Sequence, residues 1–122
     1  MRVLVKRGDR FLMVRQDTEF GIVWLPPGGT PEPGEAPAET ARREFREETG
    51  VDVDLLGELG SVASPRGRAT VLFAGRIATE PRAAGLPGEG ISAVAWLLPE
   101  DVDDYARSLL ARWPEGWNPP AS

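Results

Sequence analysis

Between a Gly28-Gly29 pair and Gly50 the chain sets six glutamates, among them Glu35, Glu44, Glu47 and Glu48, in a stretch that can fold in few ways. Pro31, Pro33 and Gly34 keep residues 30–36 out of regular structure, because proline lacks a backbone donor and fixes its own φ. From Pro37 onward a helix is expected, to about Thr49. Pro37 suits the first turn, and Gly50 suits the left-handed position just past the end. Ala38, Ala41 and Phe45 recur at i, i+3 and i+7 and give that helix a modest apolar stripe. Glu44, Glu47 and Glu48 fall at i, i+3 and i+4 and therefore share one face.

Such a face is unfavourable by itself. Like charges at this spacing cost a few tenths of a kcal/mol per pair, and the macrodipole disfavours negative charge at a helix C-terminus. A hard divalent cation such as Mg²⁺ or Mn²⁺ reverses both effects, since it prefers carboxylate and carbonyl oxygens. Gly28-Gly29 can bring backbone carbonyls toward the same ion. Arg42, Arg43 and Arg46 are interspersed and able to brace the cluster by ion pairs. The spacing alone is equally that of a solvated helix face laced with Arg–Glu pairs.

Composition narrows the chemistry. The 122 residues suit one domain with one ordinary core, residues 1–122, and 41% hydrophobic with 27% charged residues is a soluble globular profile. With no cysteine and no histidine, thiolate sites, serine–histidine triads and imidazole-ligated zinc are excluded. Carboxylates, arginines, Lys6, hydroxyls and a borrowed metal remain. A net charge of −5 argues against broad nucleic-acid or membrane binding. No apolar run approaches the roughly 18 residues of a membrane span, and no signal peptide precedes the first periodic segment, so a cytoplasmic location is expected.

Elsewhere the pattern predicts short strands and a second helix. Residues 2–6 and 11–15 are apolar runs joined by Arg7-Gly8-Asp9-Arg10, a β-hairpin signature. Residues 16–21 are polar and loop-like, and Val23-Trp24-Leu25 reads as a brief strand stopped by Pro26-Pro27. Weak alternation over 51–63, a buried strand over 69–78 and a strand over 91–98 follow, with loops at 64–68 and 80–90. A helix is expected over about 100–112, with Val102, Tyr105, Ala106, Leu109, Leu110 and Trp113 on one face. The tail from about 114 to 122 reads as irregular.

The glutamate segment resembles the Nudix box: Gly, five residues, Glu, seven residues, Arg-Glu, an apolar residue, any residue, Glu-Glu, any residue, Gly and an apolar residue. Gly29, Glu35, Arg43, Glu44, Phe45, Glu47, Glu48, Gly50 and Val51 fill every specified position without a gap. The resemblance implies an α/β protein with the Nudix fold, a mixed β-sheet sandwiched between α-helices. It also implies an enzyme that hydrolyses nucleoside diphosphates linked to another moiety, acting on small-molecule nucleotides as a monomer or homodimer. Gly29, Glu44, Glu47 and Glu48 would then hold Mg²⁺ or Mn²⁺. Glu44 would be the base, with Glu47 as the other candidate, and Glu35 would brace Arg43.

Substrate identity must come from outside the box. Arg15 stands where similar proteins contact substrate. Ser64-Pro65-Arg66-Gly67 begins 14 residues after Gly50 and is similar to the Ser-Pro-Gly loop of the ADP-ribose-cleaving branch, although Arg66 interrupts Pro-Gly and the loop sits about one residue early. Arg66 and Arg68 are candidate phosphate contacts, Phe20 and Trp24 candidate stacking partners, and Glu89 a candidate extra ligand or base. ADP-ribose or another nucleotide sugar ranks first. Nucleoside triphosphates, dinucleoside polyphosphates and a non-catalytic nucleotide-sensing role are the alternatives.

Overall fold

The computed structural model describes residues 1–19, 21–64, 66–84 and 91–119, which places Phe20, Pro65 and Glu89 outside the described residues. The first apolar run splits instead of forming one arm of a hairpin. Its start, β1 (Arg2–Leu4), pairs in parallel with β6 (Ala69–Arg76), setting Arg2 opposite Leu72 and Leu4 opposite Ala74. On its other side β6 carries β5 (Asp54–Ala63), antiparallel. The expected hairpin is made by β2 (Lys6–Arg7) and β3 (Arg10–Thr18), with Gly8 at φ 61° in a two-residue turn. Val3, Leu4 and Val5 are all buried, which is the pattern of a strand covered on both faces.

β3 is the centre of a second, antiparallel sheet. It pairs with β4 (Gly21–Leu25) from Val14↔Leu25 to Thr18↔Gly21, and along its other edge with β7 (Ile91–Leu97). Residues 16–18 therefore extend a strand where a loop was expected. Their polar side chains belong to an exposed hairpin end, where polarity does not oppose pairing.

Helix α1 (Pro37–Thr49) ends as expected, with Gly50 at φ 74° and its N–H on the Arg46 carbonyl at 2.9 Å. Ala41 and Phe45, both fully buried, pack with Val3, Val5, Leu12 and Phe73. The alternate strand residues Leu4, Phe11, Met13, Leu72 and Ala74 point the other way, onto Ala106, Leu109 and Leu110 of α2 (Asp104–Leu110). Strands thus lie between two helical layers, giving the α/β/α sandwich. α2 is shorter than expected, because a 3₁₀ turn over Pro99–Asp101 precedes it and the Asp103 carboxylate caps a fresh start by accepting from Ala106 N–H at 2.8 Å. Past α2, Trp113 meets Phe11 edge-on and its Nε1 donates to the Trp117 carbonyl at 3.0 Å, which docks the first part of the tail.

Candidate active site

Backbone bonds to the first residues hold the Gly28-Gly29 segment beside α1. Val3 N–H donates to the Pro27 carbonyl at 2.8 Å, Gly29 N–H donates to the Met1 carbonyl at 2.9 Å, and Arg2 bridges to Gly28. α1 then presents its glutamates to the glycines. Glu48, almost fully buried, accepts from Gly28 N–H at 2.9 Å through Oε1. A Cβ on Gly29 would lie 2.5 Å from Glu44 Cδ, and one on Gly28 would lie 1.9 Å from the Met1 carbonyl oxygen. At Gly28 the obstacle is backbone, so that position needs glycine for close approach, whereas at Gly29 it is the Glu44 side chain.

Arg43 organises the remaining carboxylates. Its Nε and Nη2 donate to the two oxygens of Glu35 at 2.7 and 2.9 Å, a bidentate fork, while Nη1 donates to Glu44 at 3.0 Å and to Glu47 at 3.2 Å. The Arg43 bonds, then the Glu32 N–H, then the Thr40 hydroxyl hold the Glu35 carboxyl down to about 2. Glu35 in turn pushes the Arg43 guanidinium further above its ordinary value. Of the other arginines expected to brace the cluster, Arg46 turns away to pair with Asp52, a partner just past the helix end on its own side.

Between the ends of β3, β4 and β5 and the start of β6 lies a cavity of about 640 Å³, within the usual range for small-molecule sites. Val23 and Leu25 give it an apolar wall, and Arg2, Arg66, Arg68 and Tyr105 supply polar groups. A smaller pocket of about 190 Å³ lies beside Gly29, and Arg2, Arg68 and Thr70 line both. Arg66 and Arg68 thus stand in one cavity, with Arg66 reaching Glu19 at 3.4 Å. Ser64 closes their loop, its hydroxyl accepting from the Arg66 and Arg68 N–H groups at 3.3 and 3.1 Å. Arg15 does not line this cavity; it stands opposite Trp24 on β4 and Ala93 on β7. Trp24 packs against the α2-side core.

The model of the NUDIX domain matches residues 1–117. The chain belongs to the Nudix family. It is accordingly a hydrolase of a family of pyrophosphohydrolases. Among solved structures, the MutT Nudix hydrolase from Burkholderia pseudomallei superposes with a TM-score of 0.72 at 21% identity, covering 93% of this chain and 95% of that one. An ADP-ribose pyrophosphatase from Streptococcus suis gives 0.72 at 20%, covering 96% and 92%. An Ap4A hydrolase from C. elegans gives 0.71 at 19%, covering 92% and 91%. At these identities the likeness speaks for the fold.

Nudix proteins typically use divalent metal ions, and the donors of this Nudix box suit one. They are carboxylate and carbonyl oxygens, the set a hard cation prefers. Positive groups already gather there: Arg43 between Glu44 and Glu47, and the Met1 amino group, which donates to the Gly29 carbonyl at 2.6 Å with Glu44 and Glu48 as favourable neighbours. Among the described residues no three carboxylates converge on a common point. Glu48 is turned to Gly28 N–H, while Glu44 and Glu47 are turned to Arg43.

Sequence reasoning missed Arg2 and Tyr105. Arg2 enters through a parallel pairing with a strand some 70 residues away, and no local pattern signals such a contact. Tyr105 was read as part of the apolar face of its helix, yet its hydroxyl lies 3.2 Å from that of Thr70 at the cavity.

Proposed function

We propose that this Nudix hydrolase cleaves the phosphoanhydride bond of a nucleoside diphosphate derivative in the presence of Mg²⁺ or Mn²⁺, with ADP-ribose or another nucleotide sugar as its substrate. The observation that carries this reading is adjacency. Gly29, whose Cβ position meets the Glu44 side chain, lines a small pocket that shares Arg2, Arg68 and Thr70 with a cavity of about 640 Å³ walled by three arginines. Gly29, Glu44, Glu47 and Glu48 would hold the ion, which when bound polarises phosphoryl oxygens, offsets pyrophosphate charge and lowers the pKa of water.

The chain's own residues do the rest. Glu44 takes a proton from the attacking water as its oxygen bonds to phosphorus and the bridging P–O bond breaks; Glu47 is the other candidate base. Arg43 keeps both carboxylates oriented, and Glu35 keeps Arg43 in place. Arg66 and Arg68 offset phosphate charge, and Val23 and Leu25 offer an apolar surface to the nucleoside. Free nucleotides in a cytoplasmic setting belong to the same reading.

Ser64 and its loop support ADP-ribose, as does the fold likeness to an ADP-ribose pyrophosphatase. Nucleoside triphosphates and dinucleoside polyphosphates form the second reading, favoured by comparable likeness to a MutT hydrolase and an Ap4A hydrolase. A panel of these nucleotides with Mg²⁺ and Mn²⁺, its products identified by mass, separates them. Hydrolysis of triphosphates without ADP-ribose would overturn the first reading, and binding without turnover under either metal would sink the enzymatic one.

A further inference from the structure

Arg2 is partly buried and lines both the large cavity and the pocket beside Gly29. Its backbone is held from two sides, opposite Leu72 in parallel pairing and bridged to Gly28. Nη1 donates to the Pro26 carbonyl at 3.0 Å, which engages one of the five donors a guanidinium offers. The residue thus stands where the pocket beside Gly29 and the larger cavity share a wall with Arg68 and Thr70. Arg66 and Arg68 are exposed by contrast, and must give up side-chain freedom to grip a ligand. Arg2 has given up most of that freedom in folding.

We propose that Arg2 is the phosphate contact that joins the two halves of the site. It receives the phosphate next to the one held at the glutamate face, and so favours ligands carrying two linked phosphates over those carrying one. The inference rests on the cavity being the seat of the nucleotide. A planar fork fixed at one end and open at the other matches phosphate oxygens in a way a mobile surface cation does not.

Calorimetric titration of the whole chain with ADP and with AMP, in Ca²⁺ as a hard cation with the same oxygen preference and with the nucleotides checked by mass to be intact, tests this. Arg2→Met should weaken ADP about tenfold, the scale of a charge-assisted hydrogen bond, and change AMP by less than about threefold. Arg2→Lys, which keeps the charge but loses the fork, should fall between. Mn²⁺ affinity, read by electron paramagnetic resonance, should stay within about twofold of wild type. Unchanged ADP affinity in folded Arg2→Met, equal losses for ADP and AMP, or a loss confined to Mn²⁺ would each overturn the assignment. The last would make Arg2 the counter-ion of Glu48 instead. If Arg2→Met fails to fold by circular dichroism, Arg2→Lys decides: an ADP loss of threefold or more supports the contact and none overturns it. Wild-type chain that binds no ADP also overturns it. ADP binding that depends on Arg2, in a chain that hydrolyses nothing in the panel, would count against the proposed reaction alone.

Discussion

Arg43 serves two masters, holding Glu35 with one side of its fork and Glu44 and Glu47 with the other. The pH dependence follows from the Glu35 side. Its folded value of about 2 lies below the roughly 4.3 of an unperturbed glutamate. Its stabilisation is therefore complete above about pH 4.3 and disappears as pH falls toward 2. Glu35→Gln should melt below wild type at pH 7, and the two melting curves should converge over that acid window. Curves that stay equally far apart at pH 2 would show that the pair does not carry the effect. The carboxylates proposed to hold the ion and act as base should behave oppositely. Glu47→Gln should keep or slightly raise the melting temperature, because it relieves like-charge repulsion, while turnover drops by about 10² or more. Glu48→Gln keeps an oxygen for Gly28 N–H, so it too should fold and lose activity. Loss of fold in either would make the face structural. The Glu35–Arg43 pair was legible because both residues lie within one contiguous stretch. That Arg15 stands outside the lining of this cavity was not, because a strand-end position says nothing about which wall of a sheet a cavity occupies.

The element that decides the site is the 26–29 segment, pressed between β1 and α1. Its two glycines make different demands. A methyl on Gly28 meets backbone, the Met1 carbonyl, so the strand itself must shift; a methyl on Gly29 meets the Glu44 side chain, which can swing away. Gly28→Ala should accordingly cost about 1–3 kcal/mol in denaturant melts. Gly29→Ala should cost less stability and more activity, since the displaced group is the proposed base. Equal stability losses in both would contradict this division. Helix α1 and its Gly50 end were readable from sequence because propensity and capping are local. The second helix was read too long, since the apolar face continues across the 3₁₀ turn and only Asp103 marks the restart. The split of the first apolar run was hidden as well: whether Val3 to Val5 continue a hairpin or cross to another sheet depends on a partner far along the chain.

At the scale of the whole molecule, two helical layers bury opposite faces of the same strands, and the carboxylates sit on the layer that carries Phe45. Charge repulsion on α1 is thus opposed by the core beneath it and, in the proposed holoenzyme, by a cation above it. Mg²⁺ or Mn²⁺ at about 100 times its dissociation constant should stabilise the fold by about 2.7 kcal/mol. That would appear as a melting temperature several degrees higher, abolished by EDTA and absent in Glu48→Gln. A melting temperature indifferent to metal in the wild type would count against the ion site.

The three residues of β1 have a further consequence. They hold Gly28-Gly29 against the glutamates, carry Arg2 to the cavity and pin the first sheet, all through contacts distant in sequence. The placing of the glycines and of Arg2 therefore depends on this one short strand. A fluctuation that peels this short strand from β6 would free the glycines from the glutamate face and take Arg2 from the cavity wall together, tying both to the docking of one three-residue strand.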